Sequence, residues 1–87
     1  MQESWMDKLA PMLQELVLER RFEVVPLIVQ TVDGLRDEDR QVIAMLGGRV
    51  KDDLHIIDAF SAELPIDALS SLVLSPRVRR IYYDSPL

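Results

Sequence analysis

One histidine, His55, must carry any imidazole chemistry in this chain, because there is no second histidine and no cysteine. A Ser-His-Asp arrangement would need a nucleophile beside that imidazole and an acid to orient it. Asp53 lies two residues before His55, which on a strand puts both on one face, while Asp52 points the other way. One histidine with two aspartates and no further ligand has neither the ligand types nor the spacing of a zinc site. Ser70, Ser71 and Ser75 fall in or at the end of a helical stretch, without a nucleophile-elbow pattern around them. Gly47-Gly48 lacks the further glycines, or the Lys-Ser/Thr pair, that would cradle a phosphate, and a helix stop accounts for it. Tyr82-Tyr83 has the rings to stack bases on an open sheet, but the acidic charge and the missing Gly-Phe-type signature argue against that use. The expectation is a binding protein with no catalysis of its own, no cofactor and no metal.

The composition narrows the partners. At 87 residues the chain is one small domain with a single core, and a 48% hydrophobic content broken into short runs suits a folded protein. Ten basic against fifteen acidic residues leave a net charge of -5, which disfavours nucleic acid and anionic membranes. The cluster Arg77, Arg79, Arg80 is the local exception and reads as a solvated strand end. No apolar run is long enough to span a membrane, and MQESWMDK has neither the basic nor the apolar region of a signal peptide. The absence of cysteine excludes disulfides and leaves the compartment open.

Hydrophobic spacing sets the elements that must position these residues. Ser4 and Asp7 resemble a capping box, and Trp5, Leu9, Met12, Leu13, Leu16 and Val17 share a helical face interrupted by Pro11. A short turn over about 4–9 and a firmer helix over about 11–20 follow, as a segment (1–21) covering the domain (22–87). The run VVPLIVQTV predicts a strand in the middle of a sheet, and Asp33-Gly34 a turn. Acids at Asp37, Glu38 and Asp39 open a helix whose buried face is Val42, Ile43 and Leu46. Arg49 to Ile57 predicts a second strand with Val50, Leu54 and Ile56 on one face, reversing at Asp58-Ala59. Phe60, Ala62 and Leu64 then face inward, with Ser61 and Glu63 outward. Pro65 opens a helix striped by Ala68, Leu69, Leu72 and Val73, Ser75-Pro76 ends it, and Val78 to Asp84 makes a last strand. The order strand, helix, strand, strand, helix, strand predicts an α+β, ferredoxin-like βαββαβ sandwich: a four-stranded antiparallel sheet, two helices on one face, and an extra N-terminal helix. One sheet face is then left wet or free to bind.

From about Leu27 to Asp84 the chain resembles the propeptides of subtilisin-like serine proteases, which act as intramolecular chaperones and temporary inhibitors. The stretch GGRVKDDLHIIDAFSAELPIDALSSLVLSPRVRRIYYD follows the family pattern in order and spacing. That pattern is a Gly-Gly turn, a strand, an "(I/V)-(D/N)-A-x-S-A-x-L" hairpin, a helix, then "P-x-V-x-x-(I/V)-x-x-D". The resemblance implies a subtilisin-like protease domain as partner, joined in the precursor, with the open sheet packed on two surface helices of the enzyme. Acids on the outward side of the last strand then sit at the helix N-termini, where they meet unpaired N–H groups and the positive dipole end. Asp84 matches one such position, and Tyr82 the other, where the family often has an acid. The expected interface is Ile57, Ser61, Glu63, Arg80, Tyr82 and Asp84, with Ser85, Pro86 and Leu87 as a tail toward the protease cleft. A secreted precursor would place the chain outside the cell. The rival readings are a free-standing inhibitor of the same shape and a ferredoxin-like small-molecule sensor that dimerises through its sheet. An acylphosphatase-like enzyme comes last, since Asp33-Gly34-Leu35-Arg36 is too slight an arginine loop.

Overall fold

A computed structural model describes residues 4–19 and 23–84, with side chains from residue 6. Four strands, β1 (Val24–Thr31), β2 (Arg49–Leu54), β3 (Ala59–Pro65) and β4 (Val78–Tyr83), form one sheet in the order β2-β3-β1-β4. Every neighbouring pair is antiparallel. Three helices accompany it: α1 (Pro11–Glu19), α2 (Asp37–Met45) and the short α3 (Leu69–Leu72). The result is an α+β protein with an open antiparallel sheet, compatible with a ferredoxin-like arrangement.

The core lies on one side of that sheet. Val25, Leu27 and Val29 of β1 pair with Leu64, Ala62 and Phe60 of β3, and all are buried. Against them pack Leu9, Leu13 and Leu16 from the N-terminal segment, Ile43 of α2, and Leu69 and Leu72 of α3. Leu9, Leu13 and Leu16 thus share one core with the sheet. Pro11 begins α1 where its missing N–H is harmless. Just before it, Leu9 bridges to Ile81 in parallel and the Ala10 N–H donates to the Ile81 carbonyl at 2.9 Å. The N-terminal segment therefore occupies part of the open edge of β4, the kind of edge that otherwise invites strand addition. The side chains of Ser4 and Trp5, assigned above to a cap and an apolar stripe, lie outside the described residues.

Both edge strands carry a bulge, and each changes which side chains face the core. In β2 the register slips between Val50 and Asp52, so Val50 pairs with Ala62 on the core side while Leu54 pairs with Ala59 on the opposite side. Val50 and Leu54 do not share a face, contrary to the simple alternation expected of Arg49 to Ile57. The strand also stops at Leu54: His55–Ile57 forms a single 3₁₀ turn, closed by Asp58 in the left-handed region (φ 53°, ψ 45°), which a short polar side chain tolerates. The expected inward Ile56 is consequently 88% exposed. In β4 the slip at Arg79 lets Val78 and Ile81, three apart, both reach the core.

One proline and two glycines mark the ends of these elements. Pro65 does not open a helix. It still pairs with Val24 as the last residue of β3, and α3 starts only after a 3₁₀ turn at Ile66–Ala68. Gly47 takes φ 85° after α2, with its N–H on the Ala44 carbonyl and the Gly48 N–H on Ile43, a Schellman stop. Gly48 has a second reason to be glycine. A Cβ there would run into the Glu63 carbonyl oxygen and the Leu64 side chain.

Candidate functional site

The sheet face opposite the core bears no helical layer among the described residues, and its side chains fall in rows fixed by the strand register. Asp52, Ser61, Ile28 and Tyr82 form the middle row. Leu54, Ala59, Gln30 and Arg80 form the row toward the β2–β3 turn. Arg49, Glu63 and Pro26 form the row at the other end. The Asp84 N–H donates to the Pro26 carbonyl at 3.0 Å, which brings Asp84 alongside that last row. The centre of the face, Ile28, Gln30, Ala59 and Ser61, carries no charge, and charge gathers at its margins.

Each expected interface residue takes a definite place. Tyr82 is 39% exposed on this face, and the Arg80 guanidinium carbon stands 5.9 Å from its ring centroid, a cation–π distance. Asp84 is partly buried at the end of the same strand. Glu63 accepts a hydrogen bond from Arg49 Nε at 2.7 Å, an exposed pair of small energetic weight. Ser61 lies on the right face but is only 5% exposed, because its Oγ accepts the Asp52 N–H at 3.1 Å beside the β2 bulge. Its hydroxyl shapes the edge strand rather than standing free. Ile57 is not on a strand at all; it projects from the β2–β3 turn. Ser85, Pro86 and Leu87 lie outside the described residues.

Sequence reasoning missed Ile28 and Leu54 as members of this face. For Ile28 the signal was present: β1 is apolar on both of its sides, more than one core requires. For Leu54 no local signal existed, since the bulge that turns it over depends on the partner strand.

The groups tested above for chemistry are dispersed. His55 sits in the 3₁₀ turn, so it shares no strand face with Asp53. Ser70 and Ser71 belong to α3, and Tyr82 and Tyr83 point to opposite sides of β4. Among the described residues no three His, Asp or Glu side chains gather as a metal site, and no helix is long and apolar enough to cross a membrane.

The arginine cluster divides. Arg79 and Arg80 are exposed, but Arg77 is not the solvated residue expected of a strand end. Its Nε donates to Asp39 Oδ1 at 2.9 Å and its second terminal nitrogen to Asp39 Oδ2 at 3.0 Å and the Gly34 carbonyl at 2.9 Å. A further ion pair reaches Asp33 at 2.8 Å. Asp39, only 6% exposed, also accepts the Arg36 N–H at 2.9 Å and so caps α2. The clamp ties the start of β4 to the β1–α2 connection. Hydrogen bonds from Arg36 and Arg77 hold the Asp33 carboxyl below its usual range. The Arg77 guanidinium, bonded chiefly to Asp39, is held still more firmly in its charged form.

Comparison of the chain with protein-family models, with curated proteins and with solved structures returns no match.

Proposed function

We propose that this chain is the propeptide of a subtilisin-like serine protease, a ferredoxin-like module that assists folding of the enzyme and inhibits it until removed. The observation that carries the reading is the uncovered sheet face, with Tyr82 and Asp84 side by side at the end of β4, where the chain passes into its C-terminal tail. An outward carboxylate there suits the N-terminus of a partner helix, whose first N–H groups lack acceptors and carry partial positive charge. The Tyr82 hydroxyl offers a neutral hydrogen bond at the adjacent position. The uncharged centre of the face, with the small Ala59 and Ser61 beside Ile28 and Gln30, suits packing of a helix against it.

The physical role follows from differential binding. A module that binds the folded protease surface and not the unfolded chain stabilises the folded state by mass action. A tail lying in the substrate cleft inhibits as a product does. A small domain without disulfides remains easy to degrade afterwards.

The test is inhibition of a panel of subtilisin-like proteases by the isolated chain, followed by progress curves on a chromogenic peptide. Slow inhibition of at least one enzyme is expected, and Asp84→Ala should raise its inhibition constant about tenfold with the melting temperature unchanged, the loss of one charge-assisted hydrogen bond at a helix end. A correctly folded chain that inhibits none of them overturns the reading.

A further inference from the structure

At the end of the sheet opposite to Asp84, the β2–β3 turn presents two large aliphatic side chains to solvent. Ile56 is 88% and Ile57 55% exposed, and with Leu54, His55 and Asp53 they line a shallow, almost wholly apolar hollow of about 270 Å³. Nothing in the fold requires them there. A single 3₁₀ turn accepts polar residues equally well, and neither isoleucine belongs to the core cluster. The turn is held in shape without them. The Asp58 N–H bonds back to the His55 carbonyl, and the Asp58 carbonyl accepts the Thr31 N–H at 2.9 Å, fastening the turn to the end of β1. The result is an apolar prong on a fixed backbone, so little conformational entropy would be lost on docking.

Two further observations define what it meets. Through Leu54, which stands beside Ala59 on the uncovered face, the prong is continuous with the proposed interface. The prong is flanked by Asp52, Asp53 and Asp58, with Lys51 and His55 as the basic side chains of that stretch.

Resting on the propeptide reading, we infer that Ile56 and Ile57 form a second anchor, inserting into an apolar hollow of the protease surface that is bordered by lysine or arginine side chains. It lies at the far end of the sheet from Asp84, so the two contacts would fix the orientation of the domain on the enzyme.

The experiment uses the full chain and a protease that it inhibits. Ile56→Ser with Ile57→Ser should raise the inhibition constant at least tenfold, while the thermal midpoint moves little. Asp53→Asn with Asp58→Asn, which keeps a residue tolerant of the left-handed region at 58, should raise it several-fold and flatten its dependence on salt. Equal inhibition by the wild type and the isoleucine variant overturns the second anchor and leaves the propeptide reading standing. An unchanged constant and salt dependence in the aspartate variant overturns the basic border. Failure of the wild type to inhibit any protease overturns both the anchor and the reading beneath it.

Discussion

Asp39 does two jobs that a surface acid at a helix start would not. It caps α2 through the Arg36 N–H, and it receives the Arg77 guanidinium in a two-point contact. Replacing it by Asn leaves a buried donor poorly matched and should lower unfolding stability by about 1–3 kcal/mol in urea titrations. Asp33 is the exposed outer member of the same group, and its effect is a matter of pH. Its carboxyl is easier to ionise in the folded chain than in the unfolded one. Stability from it is therefore fully present above the ordinary aspartate value near 3.8 and is lost as pH falls through the lowered folded value. In melts from pH 6 to pH 3, Asp33→Asn should melt below wild type at the upper end, and the gap should close toward the lower end. A gap that persists unchanged in acid would show that the charge of Asp33 is not what matters. The three acids of α2 were legible as a helix start. The Arg77 that pairs with Asp39 was not, because it comes from the far end of the chain.

Strands β2 and β3 depend on a contact invisible in either alone. Gly48 lies so close to the Glu63 carbonyl that no side chain fits between the strands at that point. Gly48→Ala should cost about 1–3 kcal/mol through forced backbone movement. Gly47→Ala acts differently, by placing a Cβ residue at φ 85° in the Schellman stop. Comparing the two by denaturation, and by amide exchange in β2, separates them: the first should loosen β2 pairing, the second the end of α2. Helix α1, strand β1 and the Gly-Gly stop were readable from spacing and from the conformational limits of proline and glycine. The bulges at Lys51 and Arg79 were not, because a bulge is a property of two paired strands.

The described residues share one core, and the N-terminal segment helps to build it. Leu9 and Leu13 are fully buried against the sheet, although they precede the stretch that carries the family resemblance. Leu13→Ala should cost about 2–5 kcal/mol, a large part of the roughly 5–15 kcal/mol available to a small domain. Unfolding should remain a single transition by fluorescence and by circular dichroism. Early melting of α1 with the sheet intact would show that the segment is a separate appendage. The same segment covers part of the β4 edge while the charged, bulged β2 guards the other, which protects both edges from strand addition.

Sequence alone determined the four strands of an antiparallel sheet, the place of β1 inside it, and the inward set Phe60, Ala62 and Leu64. Those follow from local rules: side chains alternate along a strand, helices bury one stripe, and proline and glycine restrict the backbone. The folded chain decided the rest. It turned Leu54 to the open face, lifted Ile56 and Ile57 into solvent, buried Ser61, tied Arg77 to Asp39 and Asp33, and brought Tyr82 and Asp84 beside Ile28 and Pro26. Register between strands distant in sequence sets each of these, and no window of neighbouring residues contains it.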